Sequence, residues 1–461
     1  MLTCHQNALL DHLDFVRHAL REVGVEAETP YLFAPPFELP DSGPTLTSFF
    51  AAADMGVTRL GSYAGQEVAL LDLMRNPRAK TTKTYASLVI VARAAQYIHE
   101  AGEPITIVTP SSANKGTALR DAVLRAYETG LVRPDQLTIT TIVPASSQPK
   151  LWSSALNDDA YLRHANPVSV LSVEQPVSRV KEIVHELVVK RAQEFHAATG
   201  RRLWHTLSLD NYRAADAVRA RVERDLSISA GKRVHIHAVS SAFGLLGHHF
   251  GRMLLIRRGE EVSATPPAYL LVQHLARPDM VLHLYHGTFS GGHTPLYERG
   301  PDGLYRQQQD PHFPMVTEDT HEMLDSTFYT AQPATSPAMD AIIAAQGGAG
   351  VVVSHQECIQ RYTEIACLLG QAGIALPQDP SRLREWSLVM AMTGMMAALD
   401  RGLLPSCDDI LVHGSGCYSQ DDYTPIPVES LVPVTDAEGL WNVVLRAAEE
   451  TSRGAVARPA R

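Results

Sequence analysis

The 461-residue sequence has few cysteines, no long hydrophobic run and no excess of positive charge. Its five cysteines are odd in number and show no C-x-x-C spacing, which excludes a zinc ribbon and a disulfide framework and favours a reducing compartment. The longest uncharged apolar run, residues 386–399, is shorter than the roughly 18 residues that a membrane-spanning helix needs. The first residues also lack a basic segment followed by an apolar one. We therefore expect a cytoplasmic protein with no membrane partner.

Charge and length limit the possible functions further. The chain has 40 Lys and Arg residues against 50 Asp and Glu residues, a net charge of −10, and the basic residues are scattered. This distribution gives no basic surface for DNA or RNA, so we expect no nucleic-acid partner. At 45% hydrophobic residues the chain is long enough to bury a substantial core in two or three domains.

Strand and helix patterns alternate along most of the chain. Residues 105–109, 116–129 and 137–143 form one βαβ unit, and the alternation resumes with strands at 203–209, 234–239, 350–353 and 410–413. This order predicts an α/β fold whose parallel-rich sheets carry helices on both faces. We expect a larger domain from residues 1–86 and 203–452, a smaller α/β domain from residues 87–202, and a disordered tail at 453–461. Residues 257–335 are rich in Gly, Pro and His and are interpreted as an insertion over the sheet.

Three of the predicted strands end in loops of small, hydroxylated or glycine residues. The loops are Pro-Ser-Ser-Ala-Asn-Lys-Gly at 110–116, Ser-Ser-Ala-Phe-Gly-Leu-Leu-Gly at 240–247, and Gly-Ser-Gly-Cys-Tyr at 414–418. Any one of them could be only a helix cap or a turn. Together they indicate a binding site at the carboxyl edge of a sheet, where free N–H groups at helix starts suit a phosphate or carboxylate.

A lysine-containing segment upstream supports this interpretation. The stretch Asn-Pro-Arg-Ala-Lys-Thr-Thr-Lys-Thr-Tyr-Ala at 76–86 resembles the N-P-x-G-S-x-K-x-R segment of the fold-type II pyridoxal-phosphate enzymes, the superfamily of tryptophan synthase β, cysteine synthase and threonine synthase. The resemblance extends over about residues 55–425 and is nearest to threonine synthase. It implies a two-domain fold-type II architecture, a pyridoxal 5'-phosphate cofactor and a homodimer. It makes Lys83 the Schiff-base lysine. Lys80 would take that role under a shifted alignment, but Lys83 keeps the x-K-x-[RY]-A context and opens a helix.

The resemblance also implies roles for residues of the three loops. Ser111, Ser112 and Ala113, with the neighbouring Lys115, correspond to the substrate-binding loop, and Asn114 to the residue that contacts the cofactor's 3-hydroxyl. The phosphate loop corresponds to Ser240, Ser241, Ala242, Phe243 and Gly244. Ser415 corresponds to the partner of the pyridine nitrogen, which would place Cys417 near the ring. Ala242 replaces a glycine, so we expect its φ to be negative if its N–H is to serve as a donor. Residues 257–335 do not match.

These residues favour elimination chemistry on an amino-acid substrate. A buried lysine is neutral and can act as general base and then acid. A neutral Ser415 hydroxyl does not protonate the pyridine nitrogen, which favours elimination over transamination. We expect a lyase or synthase that carries out β- or γ-elimination or replacement, as in threonine synthase. The alternatives are a specialised amino-acid synthase of secondary metabolism with cysteine-synthase-like β-replacement, and a catalytically silent binding protein with this fold.

Histidines suggest a competing metal site. His235 and His237, two residues apart on a predicted strand, would point to the same side of the sheet. No acidic or thiol ligand accompanies them at the usual spacing, so the sequence predicts no metal.

Overall fold

A computed structural model of the chain describes residues 2–26, 32–171, 178–206, 209–226, 231–260 and 265–457. Its strands form a seven-stranded sheet, a five-stranded sheet and two small antiparallel sheets of three and two strands. The strands are β1 (Leu2–His5), β2 (Met55–Tyr63), β3 (Gln66–Asp72), β4 (Ile105–Pro110), β5 (Leu137–Pro144), β6 (Val168–Leu171), β7 (Arg202–His205), β8 (Arg233–Ala238), β9 (Ala268–His274), β10 (Glu298–Arg299), β11 (Tyr305–Arg306), β12 (Val316–Thr317), β13 (Gly348–Val353), β14 (Leu383–Glu385), β15 (Asp409–His413), β16 (Tyr418–Ser419) and β17 (Leu431–Val434).

Helices connect most of these strands. They are α1 (Ala8–Asp11), α2 (Leu13–Glu26), α3 (Pro44–Phe50), α4 (Lys83–Ala101), α5 (Asn114–Glu128), α6 (Ala155–Asp158), α7 (Ala160–Ala165), α8 (Ser178–Thr199), α9 (Asp210–Asp216), α10 (Val218–Asp225), α11 (Phe243–Arg257), α12 (Asp279–His286), α13 (Ser336–Gln346), α14 (His355–Gly370), α15 (Ser387–Asp400) and α16 (Ala437–Ala457). None of the helices in the described ranges is both long and apolar enough to cross a bilayer.

The larger sheet has the order β1-β2-β3-β15-β8-β9-β13. Its first two pairs are antiparallel and the remaining pairs are parallel. Helix α15 packs against β8, β9 and β13 on one face. Helices α2, α4, α9 and α11 form the core on the other face, which also includes Leu71 and Leu411. The carboxyl ends of β8 and β15 therefore lie side by side.

The smaller sheet has the order β17-β6-β5-β4-β7 and is entirely parallel. Every residue of β4 and β5 is buried, because helices cover both faces of a parallel sheet. These two sheets with their helices confirm the predicted α/β class.

Two glycines set how closely α11 approaches α9. A side chain at Gly247 would lie 2.3 Å from the Asp216 Cβ, and one at Gly251 would lie 2.2 Å from the Ala217 carbonyl oxygen. Their spacing of one helical turn keeps the same face of α11 free of side chains. The close contact brings the end of α9 under the loop that starts α11.

Several predicted elements differ from those observed. Residues 268–274, inside the stretch interpreted as an insertion, form β9 at the interior of the larger sheet. Strand β7, within residues 202–205, belongs to the smaller sheet, as does β17 near the carboxyl end of the chain. The apolar pattern predicts a helix over residues 381–402, whereas α15 begins at Ser387, after strand β14. Short apolar runs do not reveal their pairing partners, which are distant in sequence.

The observed ends of other elements also differ from the predicted ones. Helix α16 continues to Ala457, so the predicted disordered tail is wrong for residues 453–457. Residues 458–461 lie outside the described ranges, as do residues 172–173 of a strand that the pattern predicts at 168–173 and residues 207–208 of the strand predicted at 203–209. The domain bounds as a whole stay a prediction.

Candidate active site

A cavity of about 320 Å³ lies where the carboxyl ends of strands from both sheets face each other. The start of α4, the three loops identified from the sequence and residues 327–330 line it. Every residue predicted for the site lines the cavity except Ala113, which is buried in a small apolar cluster with Val143 and Leu151. The fold thus brings together segments that are more than 300 residues apart in the sequence.

Lys83 is the first residue of α4 and faces the cavity. Burial lowers the pKa of its ammonium group, and the nearby Arg219 guanidinium lowers it further while Asp216 opposes the shift. Its Nζ lies 5.6 Å from the centre of the Tyr212 ring. A lysine in these surroundings has a larger neutral fraction than an exposed one, as a nucleophilic or basic amine requires.

Lys80, the alternative lysine, is placed differently. Its Nζ donates a hydrogen bond to Asp422 Oδ1 at 2.6 Å, and it does not line the cavity. Its φ of 42° lies in the left-handed region and directs the chain into the turn before α4. The geometry therefore favours Lys83 over Lys80 as the reactive amine.

The loop at residues 240–244 leads from β8 into α11. The Ser240 and Ser241 hydroxyls each lie 3.0 Å from Thr330 Oγ1, and the Thr335 hydroxyl donates to the Ser241 carbonyl oxygen at 3.0 Å. Thr335 is the residue immediately before α13. This bond supports the loop, and the first residues of α11 line the cavity, where a helix start suits an anion.

Ala242 and Gly244 set the shape of this loop. Ala242 has a φ of 52°, so the expectation of a negative φ is wrong. The alanine keeps the left-handed backbone that a glycine would adopt without strain. A side chain at Gly244 would lie 2.5 Å from Nη1 of Arg219, whose Nη2 donates to Asp216 Oδ1 at 2.6 Å. This buried ion pair supports the loop from below.

The loop at residues 110–116 is held mainly by Ser111. Its hydroxyl oxygen accepts hydrogen bonds from the backbone N–H of Gly116 at 2.7 Å and of Ala113 at 3.1 Å. Ala113 has a φ of 103°, again a glycine-like backbone at an alanine. Ser111 is thus engaged within the loop, while Ser112 and Lys115 face the cavity.

Two lysines stand on the smaller-sheet side of the cavity. Lys115 donates to the Thr206 carbonyl oxygen at 2.6 Å, and Lys181 of α8 lies 4.8 Å from the centre of the Tyr329 ring. Burial lowers the pKa of Lys115 to about 7, with a further contribution from the charges of Lys181 and Lys83. Burial also lowers the pKa of Lys181. An anion in the cavity would stabilise the charged form of both groups.

Asn114 is positioned by a buried network that the sequence did not reveal. Its Nδ2 donates to Glu385 Oε2 at 2.8 Å, and its Oδ1 accepts from the Tyr418 hydroxyl at 2.9 Å. Glu385 also contacts the Ser387 hydroxyl and lies 3.5 Å from Lys150 Nζ. Lys150 donates to Asp325 at 2.8 Å. Through the Asn114 side chain the network joins the start of α5 to the two-stranded sheet of β14 and β16.

Ser415 lines the cavity after β15, as predicted, in a loop that packs tightly. A side chain at Gly416 would lie 2.4 Å from Glu385 Cγ. Cys417 does not line the cavity, and burial raises the pKa of its thiol to about 12. Its predicted proximity to a bound ring stays a prediction.

Comparison with known proteins places this geometry in context. No curated protein matches the sequence. One family does: the model described as "Family of unknown function (DUF6002)" matches residues 4–448. The chain belongs to this family.

The DUF6002 chain shares its fold with solved threonine synthases. The threonine synthase from Escherichia coli is 12% identical with a TM-score of 0.54, and the alignment covers 93% of this chain and 96% of that one. The pyridoxal-phosphate-bound threonine synthase from Brucella melitensis is 12% identical with a TM-score of 0.53, covering 94% and 90%. The predicted fold-type II architecture and the resemblance to threonine synthases are confirmed at the level of the fold.

Sequence reasoning missed several cavity residues of the DUF6002 chain. Tyr212, Arg219 and Lys181 lie on helices, where no loop signal marks them. His237 and His413 are the last inward-facing residues of their strands. The two-residue spacing from His235 was a usable signal for His237. The other residues that surround His237 in the fold are distant from it in the sequence, so no local pattern links them to it.

Proposed function

We propose that this protein is a pyridoxal-phosphate-dependent enzyme that removes or replaces a β- or γ-leaving group of an amino acid. The observation that carries the proposal is the position of Lys83, a buried amine of lowered pKa that opens a helix and faces the 240–244 loop across one cavity. The threonine synthase fold supports it. A reactive lysine opposite an anion-binding helix start is the arrangement that this cofactor requires.

The residues present fit the cofactor. A cavity of about 320 Å³ lies within the range of about 300–1,000 Å³ that small-molecule sites occupy. Ser240, Ser241 and the first-turn N–H groups of α11 would hold the phosphate, with Arg219 beneath them. Ser415 would provide a neutral hydroxyl for the pyridine nitrogen. Asn114 donates one Nδ2 hydrogen to Glu385, and its second would be left for the 3-hydroxyl.

Lys83 would handle the protons of the reaction. The neutral Lys83 amine, which faces the cavity, would take a proton from the substrate and return it at a later step. The bound cofactor would supply the electron sink for the electron pair left by that proton. Ser112 and Lys115 would bind the substrate carboxylate on the opposite wall, so that the amino acid lies between the two loops.

The charges of the cavity support elimination rather than transamination. Ser415 carries no proton that it could give fully to the pyridine nitrogen, and the buried Glu385 carboxyl bonds to Asn114 and Ser387. The neutral partner favours early departure of a leaving group over a long-lived carbanion. Lys115 and Lys181 are placed to attract an anionic leaving group or carboxylate.

The test is reconstitution of the purified chain with pyridoxal phosphate. We expect a visible absorption band that reduction with borohydride fixes to a peptide containing Lys83, and that Lys83→Ala lacks. Lys80→Ala is the matched control and should keep the band. A protein that shows no band, or whose melting temperature is unaffected by the cofactor, would instead be the silent binding protein.

Spectral titration would then identify the substrate. O-phosphohomoserine, O-phosphoserine, O-acetylserine and O-acetylhomoserine differ in leaving group and in its position. We expect an O-phospho compound to perturb the band at lower concentration than its O-acetyl counterpart, because Lys115 and Lys181 face the cavity. Preference for an O-acetyl donor would favour the cysteine-synthase-like alternative.

A further inference from the structure

Three histidines form a buried cluster beneath the cavity. His235 and His237 point to the same face of the larger sheet from β8, and His413 joins them from the adjacent parallel strand β15. Their exposed fractions are 1%, 4% and 2%. His237 and His413 also line the cavity wall. Sequence reasoning did not connect His413 with His235 and His237, since it is 178 residues from His235.

The cluster is incompletely bonded. His235 Nδ1 and His413 Nε2 are hydrogen-bonded at 2.8 Å. His237 Nε2 and His413 Nδ1 are buried and have no hydrogen-bond partner among the described residues. A buried polar atom without a partner destabilises the fold, so the unpartnered His237 Nε2 points to a missing ligand beside this ring.

A carboxylate lies behind the cluster, within ion-pair distance of the His235 ring. Glu223 Oε1 is 3.5 Å from His235 Nε2, and Glu223 Oε2 is 2.6 Å from His248 Nε2. A carboxylate on one ring nitrogen favours the tautomer that leaves the other nitrogen bare. For His235 the bare nitrogen is Nδ1, which points at His413.

We propose that His235, His237 and His413 bind one divalent transition-metal ion of the zinc class. Three imidazole nitrogens with a carboxylate behind one of them are the donor set that such ions prefer. One potential ligand atom from each of the three rings can be chosen so that all lie within 4.8 Å of one another. The fourth position of the ion would open towards the cavity that His237 and His413 line.

The required movement is small. At a zinc–nitrogen distance of about 2.0–2.1 Å, nitrogens around a tetrahedral ion lie about 3.3 Å apart. The His235–His413 pair, at 2.8 Å, would open by about half an ångström as the ion takes the position between them and the proton of His413 Nε2 moves to its Nδ1. The rings of His237 and His413 are stacked with centroids 3.9 Å apart, so the His237 ring would have to turn.

Two other groups of potential ligands are less suitable. Glu223, His235 and His248 share one group, but Arg233 Nη1 already donates to Glu223 at 2.7 Å. His5, His12 and Asp225 form another near the surface, where Asp225 contacts Arg221 at 3.2 Å. In both groups a cation already satisfies the carboxylate.

The test is metal titration of the purified full-length chain after chelator treatment, without added pyridoxal phosphate. Zinc(II) binding is followed by calorimetry and cobalt(II) binding by its visible spectrum. We expect one equivalent to bind, with His237→Gln and His413→Gln each losing that binding. Glu223→Gln should weaken it about 10–100-fold, the usual effect of removing the partner of a ligating histidine. The titration is made on cofactor-free protein, so its outcome is independent of the proposed function.

Control variants locate the ion. His248→Gln and His12→Gln each remove one potential ligand from the other two groups. His286→Gln disrupts the exposed stacked pair of His286 and His293. All three should bind the ion as the unsubstituted chain does. Loss of binding in any of them, or wild-type affinity no higher than that of His237→Gln, overturns the proposal. If the His237 variant does not fold, X-ray absorption of the unsubstituted chain loaded with cobalt(II) counts the imidazole ligands of the ion. A count of fewer than three also overturns the proposal.

Discussion

The network that holds Asn114 contains two carboxyl groups around one ammonium group. Lys150 lies 2.8 Å from Asp325 and 3.5 Å from Glu385, and both carboxyl groups are fully buried. Burial raises the pKa of Glu385, and the Asp325 charge raises it further. Burial also acts on Asp325, but the Lys150 ammonium together with the hydrogen bonds that Asp325 accepts lowers the pKa of this carboxyl group. We therefore expect Asp325 to be ionised and Glu385 to be protonated.

This assignment predicts unequal costs for two isosteric substitutions. Asp325→Asn removes the charge that compensates Lys150, and breaking a buried ion pair costs about 3–5 kcal/mol. Asp325 also accepts from the Trp386 and Thr327 N–H groups at 2.8 Å, bonds that asparagine keeps only in part. Glu385→Gln leaves the charges unchanged and keeps an oxygen for Asn114, so its cost should be about 1 kcal/mol or less.

Urea and thermal unfolding measure the difference. At roughly 2.1 cal/mol/K per residue, a chain of this length loses about 1 °C per kcal/mol, so Asp325→Asn should lower the midpoint by about 3–5 °C. Glu22→Gln is a matched control in an exposed pair with Arg257, 3.3 Å apart, and should cost about 0–1 kcal/mol. An equal loss in Glu385→Gln and Asp325→Asn would refute the charge assignment.

The pH dependence gives a second check of the same assignment. A carboxyl group whose pKa is raised on folding stabilises the fold below its ordinary pKa, and this contribution is lost as the pH rises through the folded value. Glutamine does not ionise. The stability of Glu385→Gln relative to the unsubstituted chain should therefore increase as the pH rises from the ordinary pKa of a glutamate to the raised pKa of Glu385 in the folded protein. A relative stability that decreases with pH would show that Glu385 is the ionised group.

Other predictions concern the cavity itself. Gly244→Ala should weaken pyridoxal-phosphate binding in a fluorescence titration, because the added Cβ would lie 2.5 Å from Arg219 Nη1. Gly370→Ala is the control and should leave binding unchanged, because its added Cβ would have no atom within 4 Å. Ala242→Gly should raise the unfolding midpoint, because relief of about 1–2 kcal/mol of left-handed strain exceeds the entropy cost of about 0.4–1 kcal/mol; a lower midpoint would contradict the strain. Binding of anionic amino acids should weaken above about pH 7 as Lys115 loses its proton, and Lys115→Met should remove this dependence in calorimetric titrations.

Much of the scaffold could be predicted because its signals are local. The β-branched runs that became β4, β8 and β15 each end in a loop of small residues, and parallel strands gather such loops at one edge. Lys83 was found from its segment and from the helix that follows it. These features depend on residues within about ten positions of each other.

The missed features depend on pairing between distant segments. Strand β9 is a short apolar run between prolines, which periodicity does not separate from a loop. Strand β17 contains Pro433, and it lies at the edge of the smaller sheet, where a proline is tolerated. Glu385 was hidden at the start of a pattern interpreted as helical. Its role depends on Lys150, 235 residues away.

The net charge of −10 hides how the cavity is organised. Arg219 is compensated by Asp216 and Lys150 by Asp325, so these cations hold the loops and are already neutralised. Lys83 and Lys115 are instead buried at lowered pKa, and such amines gain most from an arriving anion. An anionic ligand near Lys115 would raise the pKa of that amine, so its binding at neutral pH takes up a proton. The chain thus separates cations that build the site from amines whose charge depends on the ligand.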